Sequence, residues 1–327
     1  IPGLIDVHFH GCVGYDFCDG TQQATAALAD YEAQNGITSI CPATMTYPFE
    51  KLDEIFRTAA AYRSEHGARL VGINMEGPFI SLAKKGAQNA EYIHAPSVEL
   101  FRRLQASANG LVKLLDIAPE AEGAMELISA LSGEVGISLA HTMADYDTAS
   151  EAYRRGARQA THLYNAMPPF SHRAPGVVGA ALDAPHCRVE LITDNVHIHP
   201  SVVRATFRMF GDDRVILISD SMMATGLPDG EYALGGQAVT VRGNRATLHD
   251  GTIAGSATNL MKCLCTAVQQ MEIPLESAVK CASMNPAKAI GLYDEIGSIE
   301  AGKYADLVLL DEKLQIVHVF VRGKQIR

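Results

Sequence analysis

The sequence predicts an α/β protein: a (β/α)8 barrel of the TIM type with a small β domain that is incomplete at its N-terminal side. Two observations predict this fold. Eight short runs rich in β-branched residues alternate with helix-like stretches over the first two thirds of the 327 residues, and this alternation is typical of parallel sheets with crossover helices. Side chains that can bind a metal recur where those runs end, and the carboxyl ends of barrel strands form the active-site rim.

The strands are predicted from these runs, and the helices from apolar periodicity with start and stop signals. Ser97 and Asp145 stand where N-cap residues belong, and Gly36, Gly156 and Gly211 follow helix ends. The predicted strands cover residues 4–10, 37–43, 70–76, 112–118, 137–141, 159–164, 189–194 and 215–220. The predicted helices cover residues 21–35, 49–66, 97–107, 121–131, 145–155 and 200–210, followed by 257–271 and 275–281 in the last third.

The last third departs from the alternation. Gly235-Gly236 and Gly243-Asn244 separate short alternating runs, which predicts a β-hairpin excursion at about residues 227–252. We assign residues 3–296 to the barrel and residues 297–327 to the C-terminal strands of the small β domain. Two strands alone are marginally stable in water, so we expect the other strands of this domain to come from sequence upstream of Ile1.

Composition restricts the class of function. The formal net charge of −10 argues against a nucleic-acid partner or an anionic membrane surface, because neither attracts an acidic protein. The seven cysteines are an odd number scattered through apolar surroundings, which favours reduced thiols in a cytoplasmic protein. No apolar run approaches the roughly 20 residues that a membrane-spanning helix needs.

Six ionisable side chains fall at the ends of predicted strands, and His197 follows in the loop after the seventh strand. His8 and His10 share one face of their strand, because side chains alternate along a strand. The other four strand-end residues are Glu76, His141, His162 and Asp220. Each alone is explained equally well by a structural role, but together they converge on the barrel mouth. We therefore predict a site for zinc, ferrous iron or a similar divalent cation.

Asp220 ends the last predicted barrel strand and is the best candidate for a proton carrier. A carboxylate beside a metal site can take a proton from a water molecule and later deliver it to a leaving group. A role as a metal ligand or as a structural acid remains open from the residues alone.

The chain resembles the amidohydrolase superfamily, and in particular its members that act on phosphorylated N-acetyl amino sugars. The resemblance covers nearly the whole chain. Its motifs are the Pro2–Gly11 stretch with His-x-His, Glu76-Gly77-Pro78-Phe79 with Lys84-Lys85-Gly86-Ala87, Ala140-His141-Thr142, the Thr161–Met167 run, Asp194-Asn195-Val196-His197, Ser219-Asp220, Asn285-Pro286-Ala287 and the Gly297–Asp306 tail. The Glu-Gly-Pro-Phe and His-Leu-Tyr-Asn-Ala-Met runs are the more specific ones.

The resemblance implies hydrolysis of a linear amide, the acetamide of N-acetyl-D-glucosamine 6-phosphate, to D-glucosamine 6-phosphate and acetate. By match to the family motifs, Glu76, His141 and His162 hold the primary metal. His8 and His10, with Glu76 as a bridge, form a second metal position, so that one or two ions bind per chain. Asp220 acts as the general base and then as the general acid.

The resemblance also implies the substrate contacts and the assembly. Asn165, Ala166, Arg173 and His197 match positions that contact the sugar phosphate, and Arg173 and His197 are expected across the interface of a homodimer. Arg173 suits an anionic substrate, since arginine can bind phosphate through two parallel hydrogen bonds. Gln88 stands where other members carry a histidine near the substrate, which predicts an amide hydrogen bond there instead.

Two other functions compete with this interpretation. Cyclic-amide hydrolases of the dihydroorotase or hydantoinase type use a carboxylated lysine at the end of the fourth strand, whereas Lys113 stands at the start of that predicted strand. A barrel that serves only as a binding scaffold would be expected to lack part of the metal-binding set. All of that set is present here.

Overall fold

The computed structural model describes residues 1–63 and 66–327. The strands are β1 (Leu4–Asp6), β2 (Gly11–Cys12), β3 (Tyr15–Asp16), β4 (Ile37–Ile40), β5 (Arg69–Leu70), β6 (Ile73–Glu76), β7 (Val112–Ile117), β8 (Gly136–Leu139), β9 (Gln159–Ala160), β10 (Arg188–Ile192), β11 (Val215–Ile218), β12 (Gly230–Leu234), β13 (Gln237–Arg242), β14 (Arg245–Thr247), β15 (Ile253–Ser256), β16 (Leu307–Leu310), β17 (Ile316–Val321) and β18 (Lys324–Gln325). The helices are α1 (Gln22–Gln34), α2 (Phe49–Ala61), α3 (Val98–Ser107), α4 (Ala124–Leu131), α5 (Tyr146–Arg154), α6 (Gly176–Asp183), α7 (Pro200–Phe210), α8 (Leu260–Gln269), α9 (Leu275–Ala282) and α10 (Met284–Ala289).

The predicted α/β class is confirmed: a curled parallel sheet is combined with small antiparallel sheets. Six strands pair in parallel in the order β11-β10-β9-β8-β7-β6, and three more in the order β1-β4-β5. The two sheets meet at a parallel bridge between Ala43 and Asn74. At their other edges, the Asp220 amide donates to the His8 carbonyl at 2.9 Å, and the His10 amide donates to the Ser221 carbonyl at 2.7 Å.

The helices begin where the sequence places their caps. Ser97 accepts a hydrogen bond from the Leu100 amide, and Asp145 accepts one from the Thr148 amide; each satisfies a backbone donor that the first helical turn leaves free. The predicted helix at 49–66 ends earlier, at Ala61, and residues 64 and 65 of that prediction lie outside the described residues. Helix α6 has no predicted counterpart, because two of its eight residues are glycine, a poor helix former.

The strands are shorter than predicted at the rim end. Strand β1 stops at Asp6 and β11 at Ile218, so His8, His10 and Asp220 lie in the segments that follow the strands. The predicted strand at 70–76 is divided into β5 and β6 around Gly72, where a Cβ atom would lie only 2.4 Å from Lys113 Cγ. Regular strand pairing therefore ends just before the residues whose side chains point toward the site.

The small antiparallel sheets adjoin the parallel strands at two places. The β12-β13-β14-β15 sheet contacts the rim, where the Ser256 amide donates to the Asp220 carbonyl at 2.7 Å. The β16-β17-β18 sheet contacts the first residues of the chain through an antiparallel bridge between Pro2 and Leu307. Among the described residues, none of the helices combines the length and apolar character needed to span a bilayer.

Asp306 connects the tail to the parallel sheet, and its removal should destabilise the fold. Its carboxylate pairs with Arg69 at 2.7 Å and accepts from the Arg322 amide at 2.7 Å, with both ionic side chains largely buried. We expect Asp306→Ala to lower the free energy of unfolding by about 3 kcal/mol, because Arg69 loses its partner while it stays buried. Urea denaturation measures this. The matched control Asp213→Ala removes a largely exposed partner of Lys280 and should cost less than about 1 kcal/mol; equal losses would contradict the prediction.

Candidate metal centre and substrate pocket

Three of the rim residues have an unusual backbone conformation. His141, His162 and Asp220 have φ values of +43°, +29° and +50°, a left-handed region in which residues other than glycine are uncommon and strained. Hydrogen bonds hold Asp220 in this conformation, since its amide donates to His8 and its carbonyl accepts from Ser256. The surrounding structure therefore imposes the bends that turn these side chains toward one another.

Glu76 lies at the centre of the cluster and is 2% exposed. Its Oε1 atom lies 3.0 Å from His141 Nε2, 3.2 Å from His162 Nε2 and 3.5 Å from His8 Nε2. Its Oε2 atom lies 3.4 Å from His10 Nε2. The ligand atoms form two buried triads that share Glu76, one with His8 and His10 and one with His141 and His162.

The tautomer of His141 indicates that this cluster is built for a cation. Its Nδ1 lies 2.8 Å from the Lys84 carbonyl, which can only accept, so Nδ1 carries the proton and neutral His141 directs an Nε2 lone pair into the cluster. That lone pair meets the Glu76 carboxylate at 3.0 Å and His162 Nε2 at 3.2 Å. Acceptors facing one another at these distances require an added proton or a metal ion between them, and imidazole with carboxylate is a ligand set suited to zinc.

The electrostatics of the cluster favour positive charge among these groups. Burial acts to raise the pKa of Glu76, but the charge of His8 and the contacts with His141 and His162 hold it well below its usual value. Burial acts to lower the pKa of His8, but Glu76 and Glu190 raise it well above the usual value. The carboxylates thus draw protons onto the histidines, and a bound cation would take the place of those protons.

Asp220 lies beside this cluster in its ionised form. Its Oδ1 atom lies 3.3 Å from His10 Nε2 and 3.8 Å from His8 Nε2. Burial acts to raise the pKa of Asp220, but the hydrogen bond from His10 and the charges of the histidines lower it below the usual value. A buried carboxylate that stays ionised can accept a proton from a water molecule at the site.

Glu190 is a further member of the site that the sequence analysis missed. It is fully buried on β10; its Oε2 lies 3.0 Å from His8 Nδ1, and its Oε1 accepts from Gln159 Nε2 at 2.6 Å. A carboxylate that accepts from one imidazole nitrogen fixes the tautomer and leaves the other nitrogen free for a metal. A charged residue inside the otherwise apolar run Val189-Glu190-Leu191 was the signal that could have revealed it.

A cavity of about 330 Å³ opens above the metal cluster. The predicted site residues that line it are His10, Glu76, Gln88, His141, His162, Asn165, Ala166, His197 and Asp220. His197 lines this cavity, and its Nδ1 lies 2.8 Å from Asp194 Oδ2 of the same chain. Arg173 is exposed and does not line the cavity.

Gln88 contacts the metal cluster directly. It is 2% exposed, its Nε2 donates to Glu76 Oε2 at 2.8 Å, and its Oε1 accepts from the Thr46 amide at 2.6 Å. Both ends of this amide group are therefore occupied by the protein, and one of them fixes the orientation of the Glu76 carboxylate.

Comparison with known proteins gives one consistent family. Residues 1–326 match the model of the amidohydrolase family. The N-acetylglucosamine-6-phosphate deacetylase of Bacillus subtilis is 39% identical over 99% of this chain and 83% of its own length. The N-acetylgalactosamine-6-phosphate deacetylase of Escherichia coli O157:H7 is 31% identical over 99% of this chain and 86% of its own. A variant of the N-acetyl-D-glucosamine-6-phosphate deacetylase of Mycobacterium smegmatis, solved with N-acetyl-D-glucosamine 6-phosphate, superposes with a TM-score of 0.94 at 32% identity, covering 100% of this chain and 86% of that one.

We expect Glu190→Gln to weaken metal retention by about 10–100-fold, because His8 loses the charged acceptor that orients it. The measurement is metal content per chain during dialysis against increasing concentrations of a chelator. Glu151→Gln, which removes the charge of a partly exposed glutamate on α5, is the matched control and should retain metal like the unaltered chain. Equal retention by both variants would show that Glu190 does not support the metal centre.

Proposed function

Because the chain belongs to the amidohydrolase family, we propose that it hydrolyses the acetamide of N-acetyl-D-glucosamine 6-phosphate to D-glucosamine 6-phosphate and acetate. The observation that carries this proposal is the pair of buried histidine–glutamate triads at the floor of a cavity of about 330 Å³. The Bacillus subtilis relative and the ligand complex of the Mycobacterium smegmatis protein support the choice of substrate.

We propose that the ion is divalent, with zinc preferred and ferrous iron as the alternative, and that one or two ions bind per chain. Glu76, His141 and His162 would hold the primary ion, and His8 and His10 with Glu76 the second. When bound, a divalent cation supplies Lewis-acid polarisation of a carbonyl oxygen and lowers the pKa of a water molecule. The donor set supports this proposal, since imidazole and carboxylate suit these metals.

Asp220 is the proposed general base and general acid. The oxygen of water forms a bond to the acetyl carbon, and the Asp220 carboxylate accepts the proton that this water loses. Asp220 then delivers the proton to the sugar nitrogen as the carbon–nitrogen bond breaks, which leaves acetate and a free amine. The lowered pKa of Asp220 supports the first of these roles only in that it keeps the carboxylate deprotonated, the form that can accept a proton.

Asn165, Ala166 and His197 are proposed to contact the sugar phosphate from within the same chain, since all three line the cavity. We propose that Arg173 of a second copy completes the phosphate site in a homodimer, because Arg173 is exposed away from the cavity of its own chain. A cytoplasmic location is proposed from the cysteines, all seven of which are unpaired thiols.

We also propose that the parallel strands form one closed (β/α)8 barrel within residues 3–296, with residues 227–252 as an excursion and residues 297–327 as part of a small β domain. Backbone hydrogen bonds at both edges of the curled sheet support closure, including those that join Asn74 to residues 42–44 and Asp220 to His8.

The direct test is acetate release from N-acetyl-D-glucosamine 6-phosphate, measured together with elemental analysis of the protein. N-acetyl-D-galactosamine 6-phosphate should be tested in the same assay, because one relative is an N-acetylgalactosamine-6-phosphate deacetylase. Turnover of the glucosamine substrate by metal-containing protein is the expected result. Absence of acetate release with a full metal content would exclude the proposed substrate.

Asp220→Asn should lower kcat by about 10²–10⁴-fold, because general acid–base catalysis is lost. The amide keeps the size of the carboxylate, so we expect metal content to be unchanged. Steady-state acetate release and elemental analysis on the same preparation measure both quantities. Substantial activity in a fully loaded variant would contradict the proton-carrier role.

Gln88 is proposed to act mainly by holding Glu76, besides lining the cavity. Gln88→Leu places a slightly shorter apolar side chain at this position and removes the donor to Glu76 and the acceptor for Thr46. We expect metal affinity, measured by chelator competition, to fall by about 10–100-fold, while KM under saturating metal changes less than about threefold. A large rise in KM with unchanged metal affinity would instead identify Gln88 as a direct substrate contact.

Arg173→Ala should raise KM for the phosphorylated sugar by about tenfold or more and leave the unphosphorylated sugar unaffected, because a charge-assisted contact to phosphate is lost. Hybrid dimers of Arg173→Ala and Asp220→Asn chains test the contribution across the interface, since one of their two sites would contain both intact residues. Recovery of activity in the hybrids is expected. Hybrids no more active than either parent would contradict the arrangement.

A further inference from the structure

A second cavity, of about 310 Å³, lies at the end of the parallel strands opposite the metal centre. It is lined by the first residues of β7, β8, β9 and β10, by the segment after α4 and by the end of α10. Gly110, Gly133 and Gly291 belong to its wall, and a Cβ atom added at any of them would meet nothing within 4 Å. The cavity is therefore open to solvent and has room for a small molecule.

Four cationic side chains line this cavity, although the chain as a whole has a net charge of −10. They are Lys113, Arg158, Arg188 and Lys288. Within residues 1–63 and 66–327, none of the four forms an ion pair, and neither guanidinium group donates a hydrogen bond. The one carboxylate of the lining, Glu134, is already paired with Arg102 at 2.5 Å.

Two other half-buried cations of this protein do have carboxylate partners. Arg69 is paired with Asp306 at 2.7 Å, and Lys280 is paired with both Asp212 and Asp213. By contrast, Lys113 and Arg188 are half-buried without an anionic partner. Removing a charge from water without a partner costs free energy, so such groups are normally paired.

Arg158, directly before β9, is a backbone neighbour of Arg188, the first residue of β10. The Arg188 amide donates to the Arg158 carbonyl at 2.9 Å, and Arg188 is in register with Gln159. Burial lowers the pKa of Arg188; the Cys187 thiol acts in the opposite sense, and the like charge of Arg158 lowers it further. Two cationic side chains that line one cavity repel each other, and an anion bound between them would relieve that repulsion.

We propose that this cavity is a binding site for a phosphate monoester, distinct from the substrate pocket. Arginine is suited to phosphate because its planar guanidinium donates two parallel hydrogen bonds to two oxygens. Arg158 and Arg188 would bind the phosphate, with Lys113 and Lys288 adding charge at the rim. The volume left beside the phosphate suits a small organic group such as a sugar. The proposal does not depend on the reaction assigned to the metal centre.

One residue of the cavity wall also contacts the metal centre. Gln159 lines the cavity and donates to Glu190, and Glu190 binds His8 on the other side. The proposed anion site and the second metal position are thus joined through two consecutive hydrogen bonds.

The test is calorimetric titration of the metal-loaded protein with inorganic phosphate and with glucose 6-phosphate. We compare the unaltered chain with Arg158→Gln/Arg188→Gln. Arg154→Gln/Arg155→Gln is the matched control, because it removes the same charge from exposed arginines that pair with Glu151. We expect the unaltered chain and the control to bind one more phosphate group per chain than the cavity variant, or to bind it about tenfold or more tightly.

The folding of the cavity variant is checked by its metal content and by its turnover of the acetylated substrate, both expected to be unchanged. If that variant does not fold, Arg158→Gln/Lys288→Gln, which alters only exposed residues of the cavity, takes its place. Equal phosphate binding by all three proteins would overturn the proposal. Non-saturating binding that disappears at moderate salt would identify an adventitious ion only, and would overturn it as well.

Discussion

Glu76 holds one carboxylate oxygen within 3.5 Å of the Nε2 atoms of His8, His141 and His162, and the rest of the site is arranged to keep it there. The Gln88 amide fixes the other oxygen, the Lys84 carbonyl fixes the tautomer of His141, and Glu190 fixes that of His8. These groups are buried, so their charges are poorly screened by water. A fold that collects lone pairs in this way is stable only if protons or a cation balance them.

Polar side chains are also buried in the interior of the parallel sheet. Beneath the histidines, the strands carry Asn74, Asp116, Gln159 and Glu190 as buried polar residues. Burial raises the pKa of Asp116 well above its usual value, and its Oδ1 accepts a hydrogen bond from the Thr161 hydroxyl at 2.9 Å. An apolar cluster that includes Ile5, Leu114 and Ile216 packs nearby. The interior thus combines polar groups that orient ligands with an apolar cluster that stabilises the sheet.

The sequence predicted the α/β class and the residues that meet at the rim, because both leave local signals. Alternating β-branched runs and helix caps involve residues that are close together in the sequence, and so does a histidine pair such as His8 and His10. The partnership of Glu190 with His8 spans 182 positions, and the contact of Gln88 with Glu76 depends on how a loop returns to its strand. No short sequence pattern indicates these two contacts, because they depend on how the parallel sheet curls. The strand ends were also placed too late, because the left-handed bends at His162 and Asp220 are imposed by tertiary hydrogen bonds.

The left-handed backbone at His141, His162 and Asp220 also limits which residues these positions can accept. Histidine, aspartate and asparagine enter this region more readily than other side chains, whereas β-branched residues are disfavoured by steric clash. Cysteine and glutamate, the other common ligands of transition metals, carry no such preference. The backbone of the rim therefore biases the ligand chemistry. Imidazole, carboxylate and amide groups can be exchanged at these three positions with less backbone strain than a thiolate side chain would introduce.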